Sequence, residues 1–457
     1  MLKKIYQLLP FLLLLCLPII IFRLKTVQNI VSRAFYTPAR INVNSTKTVD
    51  NYFPNWLNFA QGGEEPGEDM IAPALPHLKK IKPRYIRLDH IFDDAYYGIV
   101  RSGPQGVYYD FSLMDKTVAS ILAAGAKPML VLSYMPSLYG QTLISLPDNW
   151  ADWQNLVKTT VLHYSGINYQ NISEVYYEVW NEPDLENFGS FKYYGDKNYL
   201  DLYYYSAAAV KNLNWCNTFK LGGPVTTALY KNWITALLDF CQEKKLPLGF
   251  LSYHQYSYSP DDFAANAASL HDWLKEYPSY QNLEIILSEW GPDPAKAPIY
   301  NTNAAAAFTL STASALGPEI DKAFAFEIKD GPDTSSWGII SHQNQGFWLK
   351  PRYVAFAWLS ELDQALSLGG NGSFVRAIAG KNENKIVVII SNFDPSAQHQ
   401  ELIPLRISNL EPGNYQIKRQ FLGETPIYEK IILESSLFSR KFLLPPNSVY
   451  KIELTPL

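Results

Sequence analysis

A chain of 457 residues is longer than one typical domain, so we expect a large domain with a smaller partner. The net charge of −4, with no basic stripe, gives no electrostatic support for nucleic-acid binding. Three cysteines exclude a disulfide scaffold, and no Cys–His spacing resembles a zinc site. Cys216 and Cys241 could form one bridge, but we expect two separate thiols.

The N-terminus has the pattern of an export signal. Lys3 and Lys4 precede an apolar run over residues 5–22, which is long enough to span a membrane. Basic residues follow this run, rather than a small-residue cleavage site. We predict a signal-anchor over residues 1–25, a polar tether over 26–50 and a folded remainder of the chain outside the cytoplasm, periplasmic or at the cell surface. The sequence leaves open whether the segment is cleaved.

Between residues 51 and 362, apolar segments of strand length alternate with segments of helix length. The candidate strands are 57–63, 85–92, 127–134, 175–183, 220–225, 249–257, 284–291 and 323–330. Helical stretches such as NWADWQNLVKTTVLHY separate them. This repeat, with nearly continuous apolar strands, predicts an α/β fold, a closed parallel (β/α)8 TIM barrel.

The pattern changes at about residue 363. Segments such as KIVVIISNF, LIPLRISNL, NYQIKRQFLG, KIILE and NSVYKIELTPL read as short strands separated by turn-forming Asn, Gly and Pro. No helix-length segment lies between them. We therefore predict a C-terminal antiparallel β-sandwich domain over residues 363–457, which the tether segment RINVN could join.

Two glutamates end predicted strands at the same rim of the barrel. The fourth strand ends in WNEP, which contains Glu182, and the seventh in SEWG, which contains Glu289. Catalytic groups of such barrels lie at the carboxyl ends of the strands. Hydrolysis of a glycosidic bond needs one carboxyl group that is protonated and one that is ionised. Either glutamate alone could belong to a structural ion pair, but together they predict a glycosidase with carboxyl groups about 5 Å apart.

An Asn-Glu pair on the fourth strand and a Glu on the seventh resemble the clan A glycoside hydrolases, which are retaining. Within that clan the sequence is most similar to family 39, the β-xylosidases, α-L-iduronidases and related glycosidases. YYEVWNEPD (176–184) resembles the family signature, and FSLMDKTVASILAAGAKPMLVLSYMP (111–136) its second helix and third strand. YIRLDHIFDD (85–94) resembles its second strand, with altered spacing between Arg and His. The resemblance spans about residues 50–360. Two carboxylates and water suffice for the chemistry, so no metal or organic cofactor is implied.

The resemblance assigns the central roles by position. Glu182 matches the acid/base and Glu289 the nucleophile. Asn181 matches the side chain that holds the sugar 2-hydroxyl, and Arg87 the residue that orients the nucleophile.

Further residues match the surroundings of the bound sugar. His254 and Tyr256 match the residues near the nucleophile, although His254 could equally be a hydrogen-bonded core histidine. Asp89 and His90 are candidates for the same sugar site, and the altered spacing does not decide between them. Glu327 and Trp337 are candidate substrate contacts after the eighth strand, and Glu178 an orienting partner in the barrel interior.

The interpretation that follows is a retaining O-glycoside hydrolase, a β-xylosidase-like exo-glycosidase acting on an oligosaccharide or polysaccharide. One alternative is a membrane-anchored endo-glycosidase acting on a cell-surface or exported polysaccharide. A second is a barrel that binds glycan without catalysis. The sequence leaves open the sugar, the linkage, exo or endo action and the oligomeric state.

Overall fold

The structure, a computed structural model, describes residues 36–332 and 336–457. The apolar run at residues 5–22 and the first part of the tether lie outside the described residues, so the anchor stays a prediction. Within the described ranges, no helix has both the length and the apolar character needed to cross a membrane.

The strands in chain order are β1 (Ile41–Thr48), β2 (Asn58–Gln61), β3 (Tyr85–Leu88), β4 (Val100–Gly103), β5 (Gly106–Tyr109), β6 (Lys127–Leu132), β7 (Val175–Val179), β8 (Phe219–Thr226), β9 (Phe250–Tyr256), β10 (Glu284–Gly291), β11 (Lys322–Phe326), β12 (Gln364–Gly369), β13 (Val375–Asn382), β14 (Lys385–Asn392), β15 (Glu401–Ser408), β16 (Gly413–Phe421), β17 (Ile427–Leu433), β18 (Leu437–Leu444) and β19 (Ser448–Pro456). The α-helices are α1 (Leu75–Ile81), α2 (Ser112–Ala123), α3 (Trp150–Ser165), α4 (Tyr199–Val210), α5 (Lys231–Lys244), α6 (Pro260–Leu274), α7 (Asn303–Leu316) and α8 (Pro351–Ser360).

Eight parallel strands close into a barrel in the order β10-β11-β2-β3-β6-β7-β8-β9. Each corresponds to one of the strands predicted from the sequence, so the predicted barrel is confirmed. Several observed strands end earlier than predicted, because the polar residues at their carboxyl ends already belong to the loops. The hairpin β4–β5, inserted between β3 and α2, was not predicted.

Bulky side chains fill the barrel interior. One cluster takes a buried residue from each of six strands: Ala60, Met129, Tyr176, Phe250, Ile286 and Phe324. In β7 every residue is buried, as expected for a strand covered by side chains inside and helices outside. The barrel is therefore a packed core, and polar chemistry is left to its carboxyl rim.

The second domain is a nine-stranded sheet in the order β17-β16-β19-β14-β13-β12-β1-β15-β18. β1 comes from the segment predicted as tether and precedes the barrel in sequence. It pairs antiparallel with β12 and parallel with β15, whereas the other pairs of the sheet are antiparallel. Its apolar Ile41 and Val43 are buried while Asn42 between them is exposed, the alternation of a half-buried strand. β12, β13 and β18 were not predicted.

Helix α7 joins the two domains. It is buried on most sides, since it packs against α8 of the barrel layer and against β13, β14 and β19. Small side chains allow this close approach, beginning with the alanine run at 304–307. Ser311 Oγ lies 2.9 Å from Ser391 Oγ, and Ser314 Oγ donates to the Ala377 carbonyl over 2.8 Å. The sandwich is thus fixed to the barrel through a small-residue helix.

The two cysteines of the described part, Cys216 and Cys241, are separate thiols, as expected. Burial in α5 raises the pKa of Cys241 to about 12. A thiol with so high a pKa forms little thiolate at neutral pH, so Cys241 is a packing residue.

Candidate active site

The two glutamates predicted to be catalytic lie in the loop that leaves β7, which carries Glu182, and near the end of β10, which contains Glu289. The chain leaves β7 through Trp180 and Glu182, which adopt left-handed backbone conformations with φ of 71° and 42°. Such conformations are uncommon outside glycine and cluster at functional sites. The Glu182 amide donates a hydrogen bond to the Val225 carbonyl at 3.1 Å. In β10 the register shifts between Leu287 and Glu289, an irregularity of the kind that re-aims a side chain.

The two glutamates face each other across His254. One carboxylate oxygen of each and one ring nitrogen of His254 lie within 4.8 Å of one another. His254 Nδ1 is 2.8 Å from Glu182 Oε1 and 3.4 Å from Glu289 Oε2. This separation matches the spacing of about 5 Å in retaining glycosidases and is shorter than the roughly 6.5–9.5 Å of inverting ones.

His254 is fully buried, so its charge depends on its neighbours. Burial alone would lower the pKa of the imidazole. The charge of Glu289 and the hydrogen bond with Glu182 outweigh that effect and raise the pKa above its ordinary value. The sequence left open whether His254 belongs to the site or is a hydrogen-bonded core histidine. In the structure it is buried and contacts both glutamates.

Arg87 connects the elements of the site from inside the barrel. Its Nη1 donates to Glu289 Oε1 at 2.8 Å, its Nη2 to Asn181 Oδ1 at 2.7 Å and its Nε to Glu178 Oε2 at 2.7 Å. All four side chains are buried. Burial opposes the charge on Arg87, but the carboxylates of Glu178 and Glu289 raise its pKa. The guanidinium is thus a fixed cation that sets the positions of Asn181 and Glu289.

Tyrosines complete the polar contacts of these residues. Tyr256 donates its hydroxyl hydrogen to Glu289 Oε2 at 3.0 Å, so both oxygens of Glu289 receive a hydrogen bond. Burial raises the pKa of Glu289, and the positive charges of His254 and Arg87 oppose that rise. Asn181 Nδ2 donates to the hydroxyl of Tyr134 at 3.0 Å. Tyr134, which follows β6 at the same rim, was not among the residues predicted from the sequence.

Asp89 and His90 follow β3 and take different positions. Asp89 Oδ1 accepts hydrogen bonds from the His90 amide at 2.6 Å and from Ser133 Oγ at 2.7 Å. His90 has a left-handed backbone with φ of 58°, and its Nε2 lies 3.9 Å from Asp89 Oδ2. Its Nδ1 lies 2.9 Å from Asp93 Oδ2, and its ring lies 4.8 Å from that of Tyr134. Asp89 is therefore held within the barrel wall, and His90 is the one that packs against the tyrosine of the site.

Glu327 and Trp337 lie at the far wall, after β11. Glu327 is fully buried and accepts a hydrogen bond from Gln61 Nε2 at 3.0 Å. The same nitrogen donates to Glu64 Oε2 at 3.2 Å. The Trp337 carbonyl accepts a hydrogen bond from the Glu327 amide at 3.2 Å, and the Trp337 ring packs on Phe326. Gln61 and Glu64 were missed by the sequence analysis, although Gln61 ends β2 at the rim that identified the other residues.

By spacing alone, Glu182, His254 and Glu289 could also hold a divalent cation. Arg87, however, already brings a positive charge within 2.8 Å of Glu289. A second cation beside it would meet like-charge repulsion, since burial weakens the screening by water. The donor set therefore fits a pair of reacting carboxyl groups better than a metal centre.

The chain is similar to glycosidases of known sequence and structure. A β-xylosidase of Geobacillus stearothermophilus is 25% identical over 428 residues, covering 82% of this chain and 81% of that protein. The crystal structure of the GH39 enzyme from Xanthomonas axonopodis pv. citri superposes with a TM-score of 0.78 at 18% identity, over 93% of this chain and 99% of that one. A monomeric β-xylosidase from Caulobacter crescentus CB15 gives a TM-score of 0.77 at 19% identity, over 92% and 100%. Residues 74–315, more than half of the chain, match the glycosyl hydrolases of family 39. The chain belongs to glycosyl hydrolase family 39 and is a glycosidase.

Proposed function

We propose that the protein is a retaining, exo-acting glycosidase of the β-xylosidase kind, with Glu182 as acid/base and Glu289 as nucleophile. The observation that carries the proposal is the pair of carboxylates within 4.8 Å across His254. The names of the similar β-xylosidases support the choice of substrate class.

The hydrogen bonds around each glutamate support the division of roles. Glu289 accepts from the Arg87 cation and from the Tyr256 hydroxyl, and hydrogen bonds to a carboxylate favour its ionised form. Glu182 is instead paired with His254 and is partly open to solvent, where a leaving group and a water molecule can reach it. An ionised Glu289 attacks the anomeric carbon while Glu182 gives its proton to the departing oxygen. Glu182 then takes a proton from a water molecule whose oxygen attacks the anomeric carbon, and the bond between that carbon and Glu289 breaks.

Asn181 is positioned to stabilise the transition state. Its Oδ1 accepts from Arg87 and its Nδ2 donates one hydrogen to Tyr134, which fixes the orientation of the amide. The second Nδ2 hydrogen is then available for the sugar 2-hydroxyl, a contact that tightens as the oxocarbenium character grows.

The test is a screen of aryl glycosides followed by chemical rescue of two variants. Glu289→Ala should lose turnover on every substrate, because no glycosyl-enzyme can form. Glu182→Ala should still be glycosylated by substrates with good leaving groups, and the intermediate should accumulate as a burst. Azide should restore its turnover and give a glycosyl azide of retained configuration. Absence of rescue, or rescue with retention in Glu289→Ala instead, would show that the roles are wrong. Internal cleavage of polysaccharide chains would favour the endo-acting alternative.

We also propose that residues 1–25 anchor the enzyme in a membrane, with its catalytic domain outside the cytoplasm. Lys3, Lys4 and the apolar run that follows support this placement. Full-length protein should fractionate with membranes, whereas a chain starting at Tyr36 should be soluble and active. A start at Tyr36 leaves β1 intact. Recovery of the full-length chain in the cytosolic fraction would contradict the anchor.

A further inference from the structure

One end of the β-sandwich contains an arginine without a counter-ion. In β16 the buried side chains of Tyr415 and Ile417 face the core of the sandwich, and Arg419 continues the same row. The carboxylate of Glu429, on the adjacent strand β17, is bound by another cation, because Arg440 Nη1 and Nη2 each donate to one of its oxygens at 2.6 Å. Arg419 itself forms no salt bridge with any carboxylate of residues 36–332 or 336–457. Its positive charge is therefore not neutralised within this part of the protein.

Arg419 lines a cleft of about 280 Å³ between the end of β16, the turn that follows it and β18. The rings of Phe421, Phe442 and Tyr450 form the apolar wall of this cleft. The centroid of the Tyr450 ring lies 4.7 Å from that of Phe421 and 5.0 Å from that of Phe442. Aromatic rings beside a cation suit a ligand that has both an apolar face and a negative charge.

The polar groups of this cleft carry a net positive charge. Lys441 also lines it and forms no salt bridge among the described residues, whereas Glu424, which is exposed, supplies one negative charge. Arg419 Nε and the Tyr450 hydroxyl are buried, and neither has a hydrogen-bond partner in the described ranges. Burial raises the pKa of Tyr450, and the neighbouring Arg419 cation opposes that rise. The tyrosine therefore stays neutral, and two cations face one carboxylate.

A second cleft, of about 760 Å³, adjoins the first on the outer face of β1, β15 and β18, and Lys441 lines both. The other cations of this cleft are Arg40 and Arg406, whose side chains are exposed like that of Lys441. Glu401 contributes a carboxylate to the lining, but it is buried and accepts a hydrogen bond from the Ala39 amide at 2.6 Å. Positive charge thus continues from one cleft into the next, although the chain as a whole has a net charge of −4.

We propose that the two clefts of the β-sandwich bind an acidic polysaccharide, with one sugar carboxylate at Arg419 and the neighbouring sugars along Lys441, Arg406 and Arg40. The proposal goes beyond the proposed function, because none of the residues that line these clefts belongs to the barrel. A guanidinium binds a carboxylate through two parallel hydrogen bonds. The smaller cleft lies just below the roughly 300–1,000 Å³ of sites for drug-sized ligands, so it has room for about one sugar ring.

The shape of the site favours a polysaccharide over the flat surface of an anionic membrane. Arg419 is half-buried and belongs to the inward-facing row of β16, so a ligand must enter the cleft to reach it. A single acidic sugar at the end or within a flexible chain can do so, and its ring then contacts the aromatic wall. The exposed cations of the larger cleft attract the rest of a chain that carries a charge on each sugar.

The test measures the binding of tetramers of galacturonate, mannuronate and guluronate by isothermal titration calorimetry, with xylotetraose as the neutral probe. We expect the wild type to bind at least one uronate tetramer, and Arg419→Gln to raise its Kd about 10-fold or more, the effect of a hydrogen bond between charged groups. Lys441→Gln changes an exposed side chain and should raise the same Kd about 3-fold. The matched control is Lys430→Gln, at an exposed position of β17 outside both clefts, and it should bind like the wild type.

Several results would overturn the proposal. They are the absence of binding to all three uronate tetramers, an equal loss of affinity in Lys430→Gln, and an equal effect of Arg419→Gln on xylotetraose. Binding that depends on Arg419 but is seen only with phosphatidylglycerol vesicles would assign the clefts to a membrane instead. All three variants should keep the wild-type kcat/KM on aryl glycosides. A wild type that cleaves no glycoside would overturn the proposed function and leave the binding result unchanged.

Discussion

Arg87 Nη1 lies 2.8 Å from Oε1 of Glu289, and both side chains are almost fully buried. The contact places a permanent positive charge against the carboxylate proposed to attack the sugar. It also means that the charge of each depends on the presence of the other, because neither is hydrated.

Replacing Arg87 should separate its electrostatic role from its geometric one. Arg87→Lys keeps the charge but cannot donate to three partners in fixed directions, so we expect kcat/KM to fall about 10- to 100-fold in a folded protein. Arg87→Ala leaves buried carboxylates unpaired and should lower the free energy of unfolding by about 3–5 kcal/mol. Denaturant unfolding measures the free energy of unfolding, and steady-state kinetics measure kcat/KM. Arg84→Lys, an exposed position just before β3, is the control and should change neither.

Tyr256→Phe should weaken catalysis with little change in substrate binding. The variant loses the hydrogen bond to Glu289 Oε2, and with it part of the stabilisation of the nucleophile and of the leaving carboxylate in the second step. We expect kcat to fall about 10-fold or more. Tyr258→Phe, which removes a hydroxyl bound to Asp293 at the surface, should retain wild-type kinetics. Equal effects of the two changes would contradict the placement of Tyr256 against the nucleophile.

The raised pKa of His254 predicts a pH-dependent contribution to stability. A histidine whose pKa is higher in the folded state stabilises the protein most below the unfolded value of about 6.5, and this contribution is lost as the pH rises through the folded pKa. The free energy of unfolding of the wild type minus that of His254→Asn should therefore decrease as the pH rises from about 6 upwards. The difference cancels the contributions of other histidines. A difference that increases with pH would mean that His254 is neutral in the folded protein.

The buried ion pair between Lys350 and Asp330 should contribute far more to the stability of the fold than a surface ion pair does. Asp330 Oδ1 also accepts from the Gly338 amide at 2.8 Å, so the pair holds the loop that follows β11. Lys350→Met should lower the free energy of unfolding by about 3–5 kcal/mol, because Asp330 is left charged and unpaired. Adding Asp330→Leu should restore part of that loss. In the exposed pair of Lys275 and Asp272, Lys275→Met should leave the free energy of unfolding close to that of the wild type.

Much of the site could be predicted because the barrel brings its strand ends together. Once β7 and β10 are recognised as parallel strands of one barrel, Glu182 and Glu289 must meet at one rim, whatever the lengths of the loops. The same reasoning places Tyr256, at the end of β9, at this rim, whereas the role of Arg87 in β3 came from the resemblance to family 39. Each of these lies in or next to a strand, where the backbone already determines the direction of the side chain.

The parts that could not be predicted lie beyond the strand ends. Glu64 is three residues past β2, and its position depends on Gln61 and Glu327, which come together only in the folded protein. The choice between Asp89 and His90 depends on a left-handed turn at His90 that the spacing of the residues does not encode. β1 was predicted only in part: the sequence offered the segment RINVN as a strand that could join the sandwich, but not its pairing with β12 and β15, which come from the other end of the chain.

That arrangement of β1 has a consequence for how the protein is made. β1 leaves the ribosome before the barrel does, yet its two neighbours in the sheet, β12 and β15, are translated only after the barrel is complete. Until then β1 presents unpaired edges to its surroundings, a state prone to wrong pairing. The barrel can fold during synthesis, but the sheet must wait for nearly the whole chain. Nascent chains from which β12 has not yet emerged should therefore resist proteolysis in the barrel while β1 is still cut.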